Sequence, residues 1–185
     1  MRSGSIKRSA ESTPGLKMPK ITIRPHQIRD ARRFYEILNS PNFTYFQAKP
    51  KSIKDEREYL RKSFQKRKDG LEYNYAILLD GQVIGSVGVK VDQHRRYIGE
   101  IGYFVEDKHW GKGIAPQAVK LIEEVGFGEL SLKRLEIRMQ PPNGPSEQVA
   151  IKSGYQKEGH LHGALRWSDQ EMRDLYLYAK VSKEK

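Results

Sequence analysis

Hydrophobic spacing along the chain changes period twice. Apolar residues alternate from Ile21 to Ile23 and predict a short strand; Ile28, Ala31, Tyr35 and Leu38 then recur at helical intervals and predict one buried helix face. The segment NSPNF, Asn39 to Phe43, interrupts that pattern. A second helix is expected from about Ser52 to Lys68, with Ile53, Leu60 and Phe64 as its apolar stripe among dense charge. The period then shortens to two. YNYAILLDGQVIGSVGVKV reads as two strands around an Asp80-Gly81 turn, a strong hairpin signal, and Tyr97 to Val105 reads as a third strand. After a glycine-bearing loop, Ala115, Ala118, Val119, Ile122 and Val125 share a helix face. A strand at Arg134 to Met139, a short helix at about Ser146 to Ser153 closed by Gly154, and a final strand at Asp174 to Val181 complete the pattern. The predicted order is β-α-α-β-β-β-α-β-α-β, an α+β domain around one central sheet.

Composition narrows the class. With 185 residues the chain is long enough for one domain with a substantial core. Residues 1–20 mix Ser, Gly, Pro and basic side chains without periodicity and read as a flexible basic tail; residues 21–185 form the single expected domain. No apolar run approaches the roughly 20 residues of a membrane helix, and the basic N-terminus lacks the apolar core of a secretory signal. There is no cysteine, which excludes disulfides, a thiolate nucleophile and cysteine-held metals; a cytoplasmic location is the default expectation. The five histidines are scattered and assemble no metal cluster by spacing, so no metal is expected. A net charge of +11 favours polyanionic partners such as nucleic acid, ribosomes or phosphorylated cofactors, with a merely solvated basic surface as the competing reading.

The candidate chemistry lies in KHWGKGIAP, Lys108 to Pro116. Gly111 and Gly113 stand before a predicted helix, whose first N–H groups and dipole make an anion site. A nucleotide P-loop needs four residues between its glycines and then Lys-Ser/Thr, which GKGIAP lacks. A dinucleotide fingerprint needs a third glycine in a parallel unit, but Pro116 occupies that place and the strands before it form hairpins.

EIGYFV followed by HWGKGIAPQAV, then RLEIRM, NGPSEQVAIKSGYQKEGHL and DLYLYAKV, resembles the GNAT N-acetyltransferase superfamily over about Ile21 to Val181. The order Asn143, Ser146, Lys152, Gly154, Tyr155, Glu158, Gly159 and Asp174 resembles the branch containing ribosomal-protein N-terminal acetyltransferases. The resemblance implies the GNAT fold, a mixed, mostly antiparallel sheet flanked by helices, with acetyl-CoA as co-substrate. It implies that backbone amides of Gly111, Lys112, Gly113, Ile114 and Ala115 surround the CoA pyrophosphate, and that Asn143 bonds to the CoA arm. The strand EIGYFV is expected to part from its neighbour, freeing the N–H groups of Phe104 and Val105 for pantetheine and the thioester. Glu100 is the candidate general base and Ser146 the candidate acid for the leaving sulfur, with helix capping as the serine's competing role. A branch glutamate beyond the Glu-Gly motif is absent: Leu165 holds its place, leaving His160 or His162 as substitutes. Ala150 stands where many acetyltransferases carry a tyrosine acid.

Acetyl transfer to a primary amine is the expected reaction, with a protein N-terminus of the ribosomal-protein kind as the leading acceptor. It would proceed directly in a ternary complex, because no cysteine can carry an acyl group. Polyamine or antibiotic acetylation, RNA or ribosome docking through the basic surface, and CoA binding without turnover are the alternatives. A monomer or homodimer is expected, with no membrane partner.

Overall fold

The computed structural model describes residues 19–46 and 49–182. The expected basic tail falls almost wholly outside them. A seven-stranded sheet in the order β1-β2-β3-β4-β5-β7-β6 forms the frame. Its strands are β1 (Ile21–Pro25), β2 (Glu72–Leu79), β3 (Gln82–Val91), β4 (Ile98–Val105), β5 (Arg134–Met139), β6 (Gln156–Arg166) and β7 (Met172–Val181). The helices are α1 (Ala31–Leu38), α2 (Ile53–Lys68), α3 (Ile114–Glu123) and α4 (Gly144–Lys152). All neighbouring strands run antiparallel except β4 and β5.

Strand alternation sorts the two faces. Ala76, Leu78, Val83 and Phe104 meet Ala31 and Phe34 of α1 and Leu60 of α2. Their neighbours Tyr75, Ile77, Val105, Leu135 and Ile137 pack with Ile114, Ala118, Val119 and Ile122 of α3 and Ala150 of α4 in the larger core. The Asp80-Gly81 hairpin forms as expected, with both residues at positive φ, the geometry of a primed turn. The Ser52 side chain caps α2 by accepting the Asp55 N–H at 3.1 Å, with Asp55 and Glu56 in the first turn and Lys66, Arg67 and Lys68 in the last.

Three expectations are corrected. The buried face of α1 is Ala31, Phe34, Ile37 and Leu38, while Tyr35 is half-buried, because Phe34 is turned into the aromatic contact with Phe104. Helix α2 buries Glu56 and Ser63 beside Leu60, and its Ile53 and Phe64 stay half-buried. The element order lacked β6, an edge strand whose residues alternate only between exposed and half-buried and therefore carry a weak apolar signal. Near its end, Leu161 pairs with Leu175 and Leu165 with Arg173, so residues 162–164 together oppose Asp174 in a bulge.

Candidate active site

The one parallel pairing in the sheet is short. Strands β4 and β5 pair only at Ile98↔Arg134, Gly99↔Leu135 and Glu100↔Glu136, and beyond Glu100 they part. Strand β4 stays paired with β3 out to Val105↔Gly85. Peptide groups alternate in direction along a strand. The Glu106 N–H donates to Ile84 O on the β3 side, and Tyr97 O accepts from Arg134 on the β5 side. By the same parity the Phe104 amide points to β3, while those of Tyr103 and Val105 face the opening. The expected free amide of Phe104 is thus corrected, because that amide belongs to the ladder with β3; its ring, packed against Phe34, Phe43 and Phe46, still lines the cleft described next.

The opening continues into a cleft of about 570 Å³. Val105, Gly111, Gly113, Ile114 and Ala115 line it from one wall, Asn143, Ser146 and Val149 from the other. Gly111 and Gly113 have φ of 74° and 73°, a left-handed conformation that side chains disfavour, and Gly113 is the N-cap of α3. Helix α3 therefore begins with no side chain across its N–H groups and no acidic residue in its first turn. Trp110 folds back and donates its Nε1–H to Val105 O at 2.6 Å. Lys112 likewise folds back, donating to Lys108 O at 2.9 Å. An adjoining hollow of about 860 Å³ is bordered by Gly111, Lys112, Lys120, Lys152 and Lys180, a lysine collar that spacing alone did not assemble, in which Lys180 is ion-paired with Glu123 at 2.8 Å.

At the cleft's far wall, Asn143 rather than Ser146 caps α4: its side chain accepts the Ser146 N–H at 3.3 Å. The capping role expected for Ser146 is corrected, because α4 starts two residues earlier, at Gly144. The Ser146 hydroxyl is left free to meet Tyr103, whose phenol oxygen lies 2.9 Å from Ser146 Oγ. Burial pushes the Tyr103 phenol up to about 12 despite that hydrogen bond. Tyr103 was not singled out in the sequence; the available signal was its place one residue before Phe104, on the face opposite Glu100. The Ala150 methyl is fully buried and takes no part.

Glu100 is the last residue of the paired segment and so stands at the vertex of the opening, on the sheet face opposite Tyr103. Its carboxylate is half-exposed and 3.7 Å from Arg138, which also donates to the buried Glu136 at 2.8 Å. Burial disfavours charge on Glu136, but hydrogen bonds from Arg134 and Arg138 hold its carboxyl below the usual range. His160 and His162 do not line the cleft; both bond to Asp174 on the hairpin of β6 and β7. A strap after α1 covers the cleft: Asp107 accepts from Ser40 at 2.6 Å and Asn42 at 2.7 Å, and Tyr45 donates to Pro142 O at 3.0 Å. None of the described helices is long and apolar enough to cross a membrane.

A split parallel pair with a glycine-led helix at its mouth defines an acyl-CoA transferase site. Residues 20–156 match the family described as the acetyltransferase (GNAT) domain, and the chain belongs to that family of acetyl-CoA-dependent N-acetyltransferases. A probable N-acetyltransferase of Bacillus subtilis (strain 168), YjcK, is 31% identical over 177 residues, covering 85% of this chain and 94% of that one. The ribosomal-protein-serine acetyltransferase of Escherichia coli (strain K12) is 27% identical over 144 residues, 78% of this chain and 76% of that one. Among solved structures, the microcin C7 self-immunity acetyltransferase MccE in complex with acetyl-CoA and AMP matches with a TM-score of 0.78 at 25% identity, covering 88% of this chain and 92% of that one.

Proposed function

We propose that the protein transfers acetyl from acetyl-CoA to the N-terminal amine of a protein, directly and in a ternary complex. The observation that carries the reading is the parting of β4 from β5 beside the Tyr103–Ser146 pair. Pantetheine enters the opening against the Tyr103 and Val105 edge, and the pyrophosphate rests on the amides of Gly111 to Ala115, with Asn143 on the opposite wall. The Val105 N–H polarises the thioester carbonyl and stabilises the oxyanion that forms when the amine attacks. Glu100, at the vertex, takes the amine's proton directly or through water. When the C–S bond breaks, the thiolate draws a proton from the Tyr103–Ser146 pair.

A protein acceptor is supported by the likeness to an enzyme named for acetylating ribosomal-protein serine. The net charge of +11 also disfavours polycationic small molecules at long range. The test is turnover with acetyl-CoA and short peptides bearing free Ser or Ala N-termini, read by CoA thiol release and by mass. The chain's lack of cysteine leaves that thiol signal without background. Acetylation of free but not blocked N-termini is expected. Turnover of spermidine or an aminoglycoside with no peptide product overturns the reading.

A further inference from the structure

The hairpin of β6 and β7 ends in a group of side chains that lies outside the lining of the cleft. His160 Nε2 and His162 Nδ1 lie 2.8 Å and 3.0 Å from the same oxygen, Oδ2 of Asp174. The three ligand atoms all fall within 4.8 Å of one another, and the imidazole centroids are 4.3 Å apart. Residues two apart on a strand share a face, which brings the two histidines to one side. The bulge does the rest: with residues 162–164 opposing one β7 residue, His162 is re-aimed toward Asp174. Gly163, at φ 58°, turns its N–H onto Asp174 Oδ1 at 2.8 Å. That bond fixes the carboxylate's orientation and leaves Oδ2 between the rings. Tyr176, edge-on to His160 at 5.1 Å, steadies the first imidazole.

We propose that this bulge is a binding site for a divalent transition-metal ion, Zn²⁺ foremost, held by His160 Nε2, His162 Nδ1 and Asp174 Oδ2. Two imidazoles and one carboxylate are a donor set suited to Zn²⁺ and its neighbours rather than to Mg²⁺ or Ca²⁺. With metal–ligand bonds of about 2.0–2.1 Å, ligand atoms in a tetrahedral shell stand about 3.3 Å apart. The two N···O separations, 2.8 and 3.0 Å, are shorter than that value, and the two ring nitrogens lie within 4.8 Å of each other, so the carboxylate draws back and the exposed imidazoles close in as the ion enters. On binding, the metal takes the Nε2 lone pair of His160 and the Nδ1 lone pair of His162, and each ring carries its proton on the other nitrogen. The Gly163 N–H supplies the outer hydrogen bond that orients the carboxylate ligand. Three protein ligands leave a fourth position for water. All three side chains are partly exposed, so the ion enters without unfolding.

The test uses the full chain without a histidine tag, titrated with Zn²⁺ against a chromophoric chelator. One equivalent is expected with micromolar affinity. His162→Gln and Asp174→Asn should each weaken that equivalent at least tenfold, with circular dichroism confirming the fold. A second measurement needs only the wild-type chain: on addition of Zn²⁺, NMR should shift the ring resonances of His160 and His162 and leave those of the buried His26 in place. Absence of a micromolar equivalent, an equivalent that both folded variants retain, or shifts confined to His94 and His109 would each overturn the proposal.

Discussion

Tyr103 and Ser146 are 43 residues apart in the chain, yet their hydroxyls meet at 2.9 Å across the mouth of the split sheet. One comes from the diverging strand and the other from the first turn of α4, so the pair bridges the two halves of the site. Because Asn143 performs the capping, the serine hydroxyl can be removed without releasing the helix. Tyr103→Phe is expected to lower kcat by roughly 10²-fold, at the lower end of general-acid effects. Ser146→Ala should lower it less, with a Tm shift small beside that of Asn143→Ala, whose lost cap costs about 1 kcal/mol. Steady-state thiol release and thermal melts on the three variants check the ranking.

Gly113 holds a left-handed conformation at the start of α3. Any side chain there is strained by about 1–2 kcal/mol, and the loop can relieve the strain only by swinging its amides away from the cleft. Gly113→Ala should therefore lose stability by about that amount and raise the KM for acetyl-CoA more than it lowers kcat. Calorimetric titration with CoA and a denaturation curve separate the two effects. An unchanged CoA affinity would detach this loop from the cofactor.

Glu56 is 4% exposed in α2, and burial raises its carboxyl to about 7. An acid whose folded pKa lies above its unfolded value stabilises the fold fully below about pH 4.5 and loses that contribution as pH rises through 7. His26 acts oppositely: burial lowers its pKa to about 4, so stability falls as pH drops from 6.5 toward 4. The two trends offset each other between about pH 4.5 and 6.5. Above that window Glu56 acts alone. Glu56→Gln should raise stability at pH 8 by up to about 3 kcal/mol and remove the decline between pH 6 and 8. Urea denaturation of both proteins across that range measures it.

Much of this architecture was readable where the signal is local. The Asp80-Gly81 hairpin, the glycine loop and the apolar face of α3 each sit within a dozen residues and form near where the pattern placed them, although Ile114 is buried in α3 where Ala115 was expected and Val125 falls just past the helix end. Properties that depend on pairing were not readable. Alternation gave Phe104 and Val105 equal standing, and only the hydrogen bond from Glu106 to Ile84 decides which amide faces the opening. The edge strand β6 hid because its residues bury too little for periodicity to register. Its bulge gathers His160, His162 and Asp174, whose separation of 12 to 14 positions carried no message until β7 was laid beside them. The lysine collar is of the same kind: Lys112, Lys120, Lys152 and Lys180 come from four separate segments.

Three residue pairs are all that join β4 to β5. Beyond them an edge strand opens in the middle of a sheet, the kind of surface on which another chain's backbone can add itself. One carbonyl of that edge, Val105 O, is already occupied by the Trp110 indole, and the Tyr45 strap covers the approach. The same devices that shape a cofactor cleft thus shield a bare rail of backbone from unwanted partners. An exposed strand edge is a general aggregation liability, and these two contacts are what cover this one.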